Sequence, residues 1–380
     1  MLSKRGAAVT PIAAKRARPS ASLSRSPPPP RDASAASPAL PRRLAAEFPG
    51  EHVPLFSLGG AGDAALLECT LLRRPSARNK SPYVADVFVV SENREAICHV
   101  PSMELGGKCC AGATVLVKRA VVKKGGPLVG SEATSAKYGT PKCEFICQLA
   151  RLSSGGWVGA HPALGEAAAA ALLETAAVRQ DFGAVGDCGI DREVKRPCGA
   201  DMRADFVLSP QGAARCVVEV KTVVDASSDA PPAEKAPKTK AALAKAAAAK
   251  AALAAAPAAP SSLPRAGTFP WGRTAQKGPD GEKVVSARAI KHVDNLAAIS
   301  RGELLDDGDR SATAGILFVV VRGDVEAFRP NVEACPSFSR HLLEARSSGV
   351  QIHARRIQWA VSEDFKSADA IDDGALPVEL

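Results

Sequence analysis

Asp205, Glu219 and Lys221 are the residues of this 380-residue chain whose types and spacing could do chemistry. Asp205 stands in Met-Arg-Ala-Asp-Phe-Val-Leu, and Glu219 and Lys221 stand two apart in Cys-Val-Val-Glu-Val-Lys-Thr-Val-Val. Ser-Pro-Gln-Gly lies between these runs of high β-propensity, which is a hairpin signal. A hairpin centred on Gly212 sets Asp205 opposite Glu219. Strand alternation then gathers Asp205, Val207, Val217, Glu219 and Lys221 on one face. Phe206, Leu208, Cys216, Val218 and Val220 fall on the other, which is apolar enough to face a core. Glu193 adds a third acid upstream. Hard divalent cations take carboxylate oxygens as ligands, and a lysine beside them steadies a phosphate or polarises a water. The competing reading is an ion pair of Lys221 with Glu219 or Asp205 on a solvated sheet face, worth about 0–1 kcal/mol.

The elements that must position this hairpin are readable on both sides of it. Pro162 to Gln180 is Ala-rich and helical in pattern. Ser286 to Ser300 reads as an amphipathic helix with Ser286 as N-cap, and Ile290, Val293, Leu296 and Ala297 form its buried stripe. Arg288, Lys291 and Asn295 line another side. Ala314 to Val321 is a central strand buried on both faces, Pro336 to Ser348 a second helix, and Val350 to Ala354 the last strand. Alternating strands and helices make this half α/β, a mixed sheet with flanking helices. His99 and His292 stand alone in their surroundings and read as core or capping histidines before general bases.

Residues 65–152 differ in character. Ala65 to Leu72, Tyr83 to Val90, Ala96 to Val100, Thr114 to Val121 and Cys143 to Leu149 are short apolar or β-branched runs separated by Gly and Lys. Five such strands fit an all-β, OB-like barrel, a fold that often presents a basic face to oligonucleotides. Arg73, Arg74, Arg78, Lys80, Lys118, Arg119, Lys123 and Lys124 could supply that face, or serve only solubility. Aromatic stacking partners are few.

A formal net charge of +9 favours an anionic partner, nucleic acid ahead of a membrane surface, and part of that charge resides in tails and linkers. No apolar run reaches the ~18 residues a membrane span requires. The ten cysteines include no CxxC pair and no zinc spacing, so they read as small reduced core residues of an intracellular protein. Residues 1–45 are basic and rich in Ala, Pro and Ser, with no acid before Asp32. They read as a disordered tail, with a transit peptide for a plastid or mitochondrion, a nuclear localisation patch at Lys15 to Arg18 and an unprocessed cytoplasmic tail all open. Residues 225–263 are a low-complexity Ala/Lys/Pro stretch, read as an insertion before a phosphate-binding segment.

The hairpin's Asp…Glu-x-Lys arrangement resembles the metal site of the PD-(D/E)XK nuclease superfamily. A wider set of landmarks resembles the sugar fermentation stimulation protein (SfsA-like) family. Arg78 to Val87 resembles its opening strand, and His99-Val100-Pro101-Ser102 its His-x-Pro-Asn turn. Glu193-Val194-Lys195, Arg203 to Leu208 and Glu219 to Val223 follow its acidic segments. Lys291-His292-Val293 resembles the end of its Thr-Glu-Arg-Gly-Gln-Lys-His-Leu helix, and Leu376 to Leu380 its usual ending. Ala287, Ala289 and Ile290 replace the family's Glu, Gly and Gln, and Phe269-Pro270-Trp271-Gly272 stands for its Phe-Pro-Asp-Ala. The resemblance implies an OB-like barrel over 65–152 and a nuclease-like, DNA-binding α/β domain over 160–224 and 264–365. It implies that Asp205 and Glu219, helped by Glu193, hold Mg2+ or Mn2+ beside a phosphate, with Lys221 positioning or activating the nucleophile. Arg203, Arg288 and Lys291, with Arg78 and Lys80 from the barrel, would meet DNA more readily than RNA. A DNA-binding regulatory protein that keeps the fold without turnover is the alternative.

Overall fold

The computed structural model describes residues 53–101, 108–227, 265–272, 274–305 and 311–380. The tail expected over 1–45, nearly all of the 225–263 insertion, and Ser102 lie outside the described residues. The first elements are β1 (Phe56–Gly59), β2 (Leu67–Arg73), β3 (Val84–Val89), β4 (Arg94–His99), β5 (Thr114–Arg119), β6 (Phe145–Arg151) and β7 (Trp157–Gly159). Helices α1 (Pro162–Leu173) and α2 (Ala176–Asp181) follow, then β8 (Cys188–Lys195), β9 (Arg203–Pro210), β10 (Arg215–Val223) and β11 (Asp225–Ala226). The remainder comprises β12 (Ala266–Phe269), β13 (Gln276–Lys277), β14 (Lys283–Val284), α3 (Ala287–Ser300), β15 (Ala312–Val320) and β16 (Ala327–Pro330). Helix α4 (Pro336–Ser347), β17 (Gln351–Val361) and β18 (Ser367–Leu376) complete it.

The five early strand runs form the expected barrel. Strand β2 pairs with β3 and β5, β3 with β4, and β5 with β6. A short parallel contact of β4 with β6, Cys98 to Phe145 and His99 to Ile146, closes the ring. Five strands joined into a ring by so short a final pairing match the partly open, five-stranded OB-like barrel. Leu71, Val87, Cys98, Val117, Phe145 and Leu149 fill its interior.

A seven-stranded mixed sheet runs in the order β1-β18-β17-β15-β10-β9-β8. Strands β10, β15 and β17 are parallel, with antiparallel strands added on either side. Parallel strands must be covered on both faces, which accounts for the apolar run Ala312–Val320. Phe206, Leu208, Val218 and Leu317 pack toward α1 and the barrel. Val207, Val217, Ile316 and Phe318 pack toward α3 and α4. Helix α1 lies close on β10 because residue 165 is glycine; a Cβ there would fall 1.9 Å from Thr222 Oγ1. Ser286 caps α3, its Oγ accepting the Ala289 N–H at 3.2 Å. That cap is worth about 1 kcal/mol and fixes where the helix begins.

The structure departs from the sequence expectations at several elements. The helix expected over Pro162–Gln180 is two, because Thr175 breaks it with an extended backbone and starts α2. The strand expected to end at Ala354 continues to Val361 and turns back into β18, which pairs with β1. The α/β sheet thus takes in Phe56–Gly59 and Ser367–Leu376, outside the 160–224 and 264–365 bounds. Strand β8 forms from a polar run that carries little β signal. The hairpin face bearing the acids is not solvated along its length, since α3 covers it.

Candidate functional site

The hairpin ladder pairs Cys216 with Leu208, Val217 with Val207 and Val218 with Phe206. One step further puts Glu219 across from Asp205, the register that a turn centred on Gly212 requires; Gly212 takes φ +72° there. The β8–β9 ladder pairs Arg192 with Phe206 and Val194 with Ala204, so Glu193 is the next position in the same row. Glu193, Asp205 and Glu219 therefore share one row across three adjacent strands. Exposure falls along it from exposed, through partly buried, to buried.

At the inner end Glu219 is 3% exposed. Its Oε1 lies 2.6 Å from His292 Nδ1 and also accepts from Lys221 Nζ. Its Oε2 is buried and has no hydrogen-bond partner among the described residues. Arg288 Nε, 3.4 Å from His292 Nε2, can only donate, because a guanidinium has no acceptor. That assigns the His292 proton to Nδ1, aimed at Glu219. Burial pushes the Glu219 carboxyl up, but His292 and Lys221 outweigh burial and hold it below its ordinary value.

Asp205 Oδ2 accepts the Val220 N–H at 2.7 Å, where a backbone rung would otherwise continue. Burial first, and the Glu219 charge second, raise its carboxyl to about 6. Two neighbouring carboxylates pushed in opposite directions are a recurring mark of acid–base or metal chemistry. At neutral pH both are ionised and repel each other.

The outer end is arranged differently. Glu193 takes φ +56°, and its Oε2 lies 2.6 Å from Arg203 Nε in an exposed ion pair. Among the described residues no three His, Cys, Asp or Glu side chains converge as a ready-made metal cluster. Lys291 Nζ is 2.5 Å from Asp201 Oδ2, also exposed. Arg78 and Lys80 belong to the β2–β3 connection of the barrel, and Arg78 lies 4.0 Å from Glu144. The structure thus brings Asp205, Glu219 and Lys221 together and leaves Glu193 beside them but engaged with Arg203. His292 joins the group without having been read as part of it. Its signal was position: Ala289, His292, Val293 and Leu296 form an i, i+3, i+4, i+7 stripe, so His292 sits on the buried face of a helix covering an acidic strand.

These features define a two-part architecture, an OB-like barrel joined to an α/β domain whose mixed sheet carries a buried acidic hairpin under a helix. Residues 279–363, which include all of α3, match the family described as the sugar fermentation stimulation protein RE domain. A curated sugar fermentation stimulation protein homolog of Clostridium tetani is 40% identical over 63 residues, 17% of this chain and 26% of that protein. The aligned segment thus spans about a quarter of that relative's length. The solved structure of Pyrococcus furiosus SfsA in complex with Ca2+ superposes with a TM-score of 0.53 at 17% identity, covering 86% of this chain and all of that one. Over residues 279–363 the chain is thus similar to the SfsA-like family, and the wider likeness to the Pyrococcus furiosus structure is one of fold.

Proposed function

We propose that this is a nucleic-acid-binding protein, DNA before RNA, whose β9–β10 hairpin is a divalent-metal phosphodiesterase site of the PD-(D/E)XK kind. The observation that carries the reading is Glu219: one carboxylate oxygen is fixed by Lys221 and His292, and the other is buried without a partner among the described residues. A buried acceptor without a partner costs about 1–3 kcal/mol, a cost that a cation ligand removes. Asp205, raised to about 6 by burial and by Glu219, supplies the second carboxylate, and a cation would relieve the repulsion between the two. The donor set is all oxygen, which suits Mg2+, Mn2+ or Ca2+; the Pyrococcus furiosus relative is described with Ca2+. Asp205 and Glu219 would hold the ion, with Glu193 reaching it only on leaving Arg203. The bound ion would supply Lewis-acid stabilisation of phosphoryl charge and a more acidic water. Lys221, partly buried beside Glu219, is placed to steady a phosphate oxygen, and the exposed Arg288 to neutralise a neighbouring one.

A catalytically silent binder is the second reading, favoured by Glu193 and Lys291 each being engaged in an exposed ion pair, with Arg203 and Asp201 respectively. The two part in a cleavage panel of supercoiled, linear and single-stranded DNA and RNA, with Mg2+, Mn2+ or EDTA. Metal-dependent cutting that disappears in Glu219→Gln is the expected result. If all substrates stay intact with both metals while binding persists in EDTA, the protein is the silent binder. An intracellular site of action, in an organelle before the nucleus or cytoplasm, is proposed from the basic tail; a tagged chain lacking residues 1–45 that is still imported would remove that reading.

A further inference from the structure

Glu219 Oε1 receives two donors, His292 Nδ1 at 2.6 Å and Lys221 Nζ, while Oε2 receives none from the described residues. The donors are unlike. His292 is 6% exposed, on a capped helix packed into the sheet, and Arg288 on its far side fixes which ring nitrogen carries the proton. Lys221 sits on a four-carbon stem that leads from the strand and keeps some exposure. We infer that His292 is a positioning residue: it holds Oε1 so that Oε2 faces the cation, and it keeps Glu219 satisfied when Lys221 leaves for a phosphate. This rests on the metal-site reading of the hairpin and adds a division of labour to it. Without His292, Lys221 would have to serve both Glu219 and the phosphate. Arg288 becomes the link between the exposed helix face and the buried acid, through two hydrogen bonds and one imidazole. Partners that orient metal ligands in this way typically govern about 10–100-fold in metal affinity.

The test uses the full chain with Ca2+ or Mn2+ alone as titrant, followed by calorimetry, and 15N NMR of the histidine rings. His292→Asn places an amide N–H near the position of Nδ1, whereas His292→Phe fills the space and has no donor. Wild-type protein should bind the ion and show the Nδ1–H tautomer at His292. The Phe variant, folded by circular dichroism, should lose about 10–100-fold in affinity, and the Asn variant should recover most of it. If wild type binds and the Phe variant binds equally well, or if His292 carries its proton on Nε2, the positioning role is wrong while the metal site stands. If Asn and Phe variants are folded and equally weak, the effect is packing and the inference fails. A wild-type chain that takes up neither ion overturns the metal reading itself, and the division of labour with it.

Discussion

Two charge clusters in this molecule, one partly exposed in the barrel and one more deeply buried at the hairpin, are composed differently. In the barrel, Arg94 lies 2.6 Å from Glu92 and 2.8 Å from Glu144, and Arg119 also pairs with Glu92. Both guanidiniums lie over the Phe145 ring, at 5.8 and 5.6 Å from its centroid. Two acids meet two cations there; burial alone would raise Glu92, yet its arginine partners hold its carboxyl low. In the hairpin, two acids meet one lysine and a histidine. One acid is raised to about 6, and one carboxylate oxygen is buried without a hydrogen-bond partner among the described residues. The barrel cluster also keeps one unsatisfied atom, Glu144 Oε1, which is buried without a hydrogen-bond partner among the described residues and has Arg78 4.0 Å away. At the hairpin, the raised Asp205 and the unpartnered Glu219 oxygen are the two features that the proposed cation would relieve.

The sharpest way to break this contrast is to remove one acid from each cluster. Glu219→Gln should weaken divalent-ion binding by about 100-fold or more in a calorimetric titration, and it should also cost stability in EDTA because Lys221 and His292 lose their charged partner. Glu144→Gln should leave ion binding alone. It takes a carboxylate from Arg94, which is about one-third exposed, so a cost of about 1–3 kcal/mol in urea denaturation is expected, with ion affinity unchanged. Equal losses of ion binding in both variants would mean that the clusters are not distinct in function.

A smaller effect follows from Asp205. Its folded-state carboxyl sits at about 6, above the ordinary value of 3.8, so folding binds a proton there. The associated stability is complete below pH ~4 and is lost as pH rises through about 6, by at most ~3 kcal/mol. Asp205→Asn has no proton to lose. In EDTA its urea midpoint should therefore exceed that of wild type at pH 7.5, and the gap should close toward pH 4. Added Mn2+ should raise the wild-type midpoint alone. A gap that widens on acidification would show that Asp205 is stabilised as the anion, as Glu92 is in the barrel.

How much of this was legible in the sequence follows the same division. The hairpin register was legible because Pro-Gln-Gly marks the turn and alternation does the rest, and the barrel strands because each is short, apolar and bounded by Gly or Lys. Ser286 announced α3. What stayed hidden was long-range. Glu219 and His292 are 73 positions apart, and only folding reveals that the buried stripe of α3 lies over the acidic strand face. Strand β18 hides for a different reason: Ser-Ala-Asp-Ala-Ile-Asp-Asp-Gly-Ala-Leu is poor in β-branched and aromatic residues, so pairing with β1 and β17, not propensity, makes it a strand. The pairing of Glu193 with Arg203 was hidden because sequence shows an acid but not the left-handed backbone that accompanies it.

The exposed rim of the hairpin offers the finest test. Lys291 reaches Asp201 at 2.5 Å, and both are open to solvent, so the pair is weak and easily exchanged. The Lys291 ammonium nonetheless holds Asp201 below its ordinary pKa, which shows where its charge is directed. A phosphate approaching α3 must compete with that carboxylate. Asp201→Asn removes the competitor without touching the buried acids, so nucleic-acid affinity at low salt should rise by a few-fold. The slope of log affinity against log salt should steepen by about one phosphate contact. Cleavage per bound complex should not change, because Asp201 touches neither Glu219 nor Asp205. If affinity and slope are both unmoved, Lys291 does not meet the nucleic acid, and the binding surface must be sought on the barrel, where Lys80, Lys123 and Lys124 are exposed.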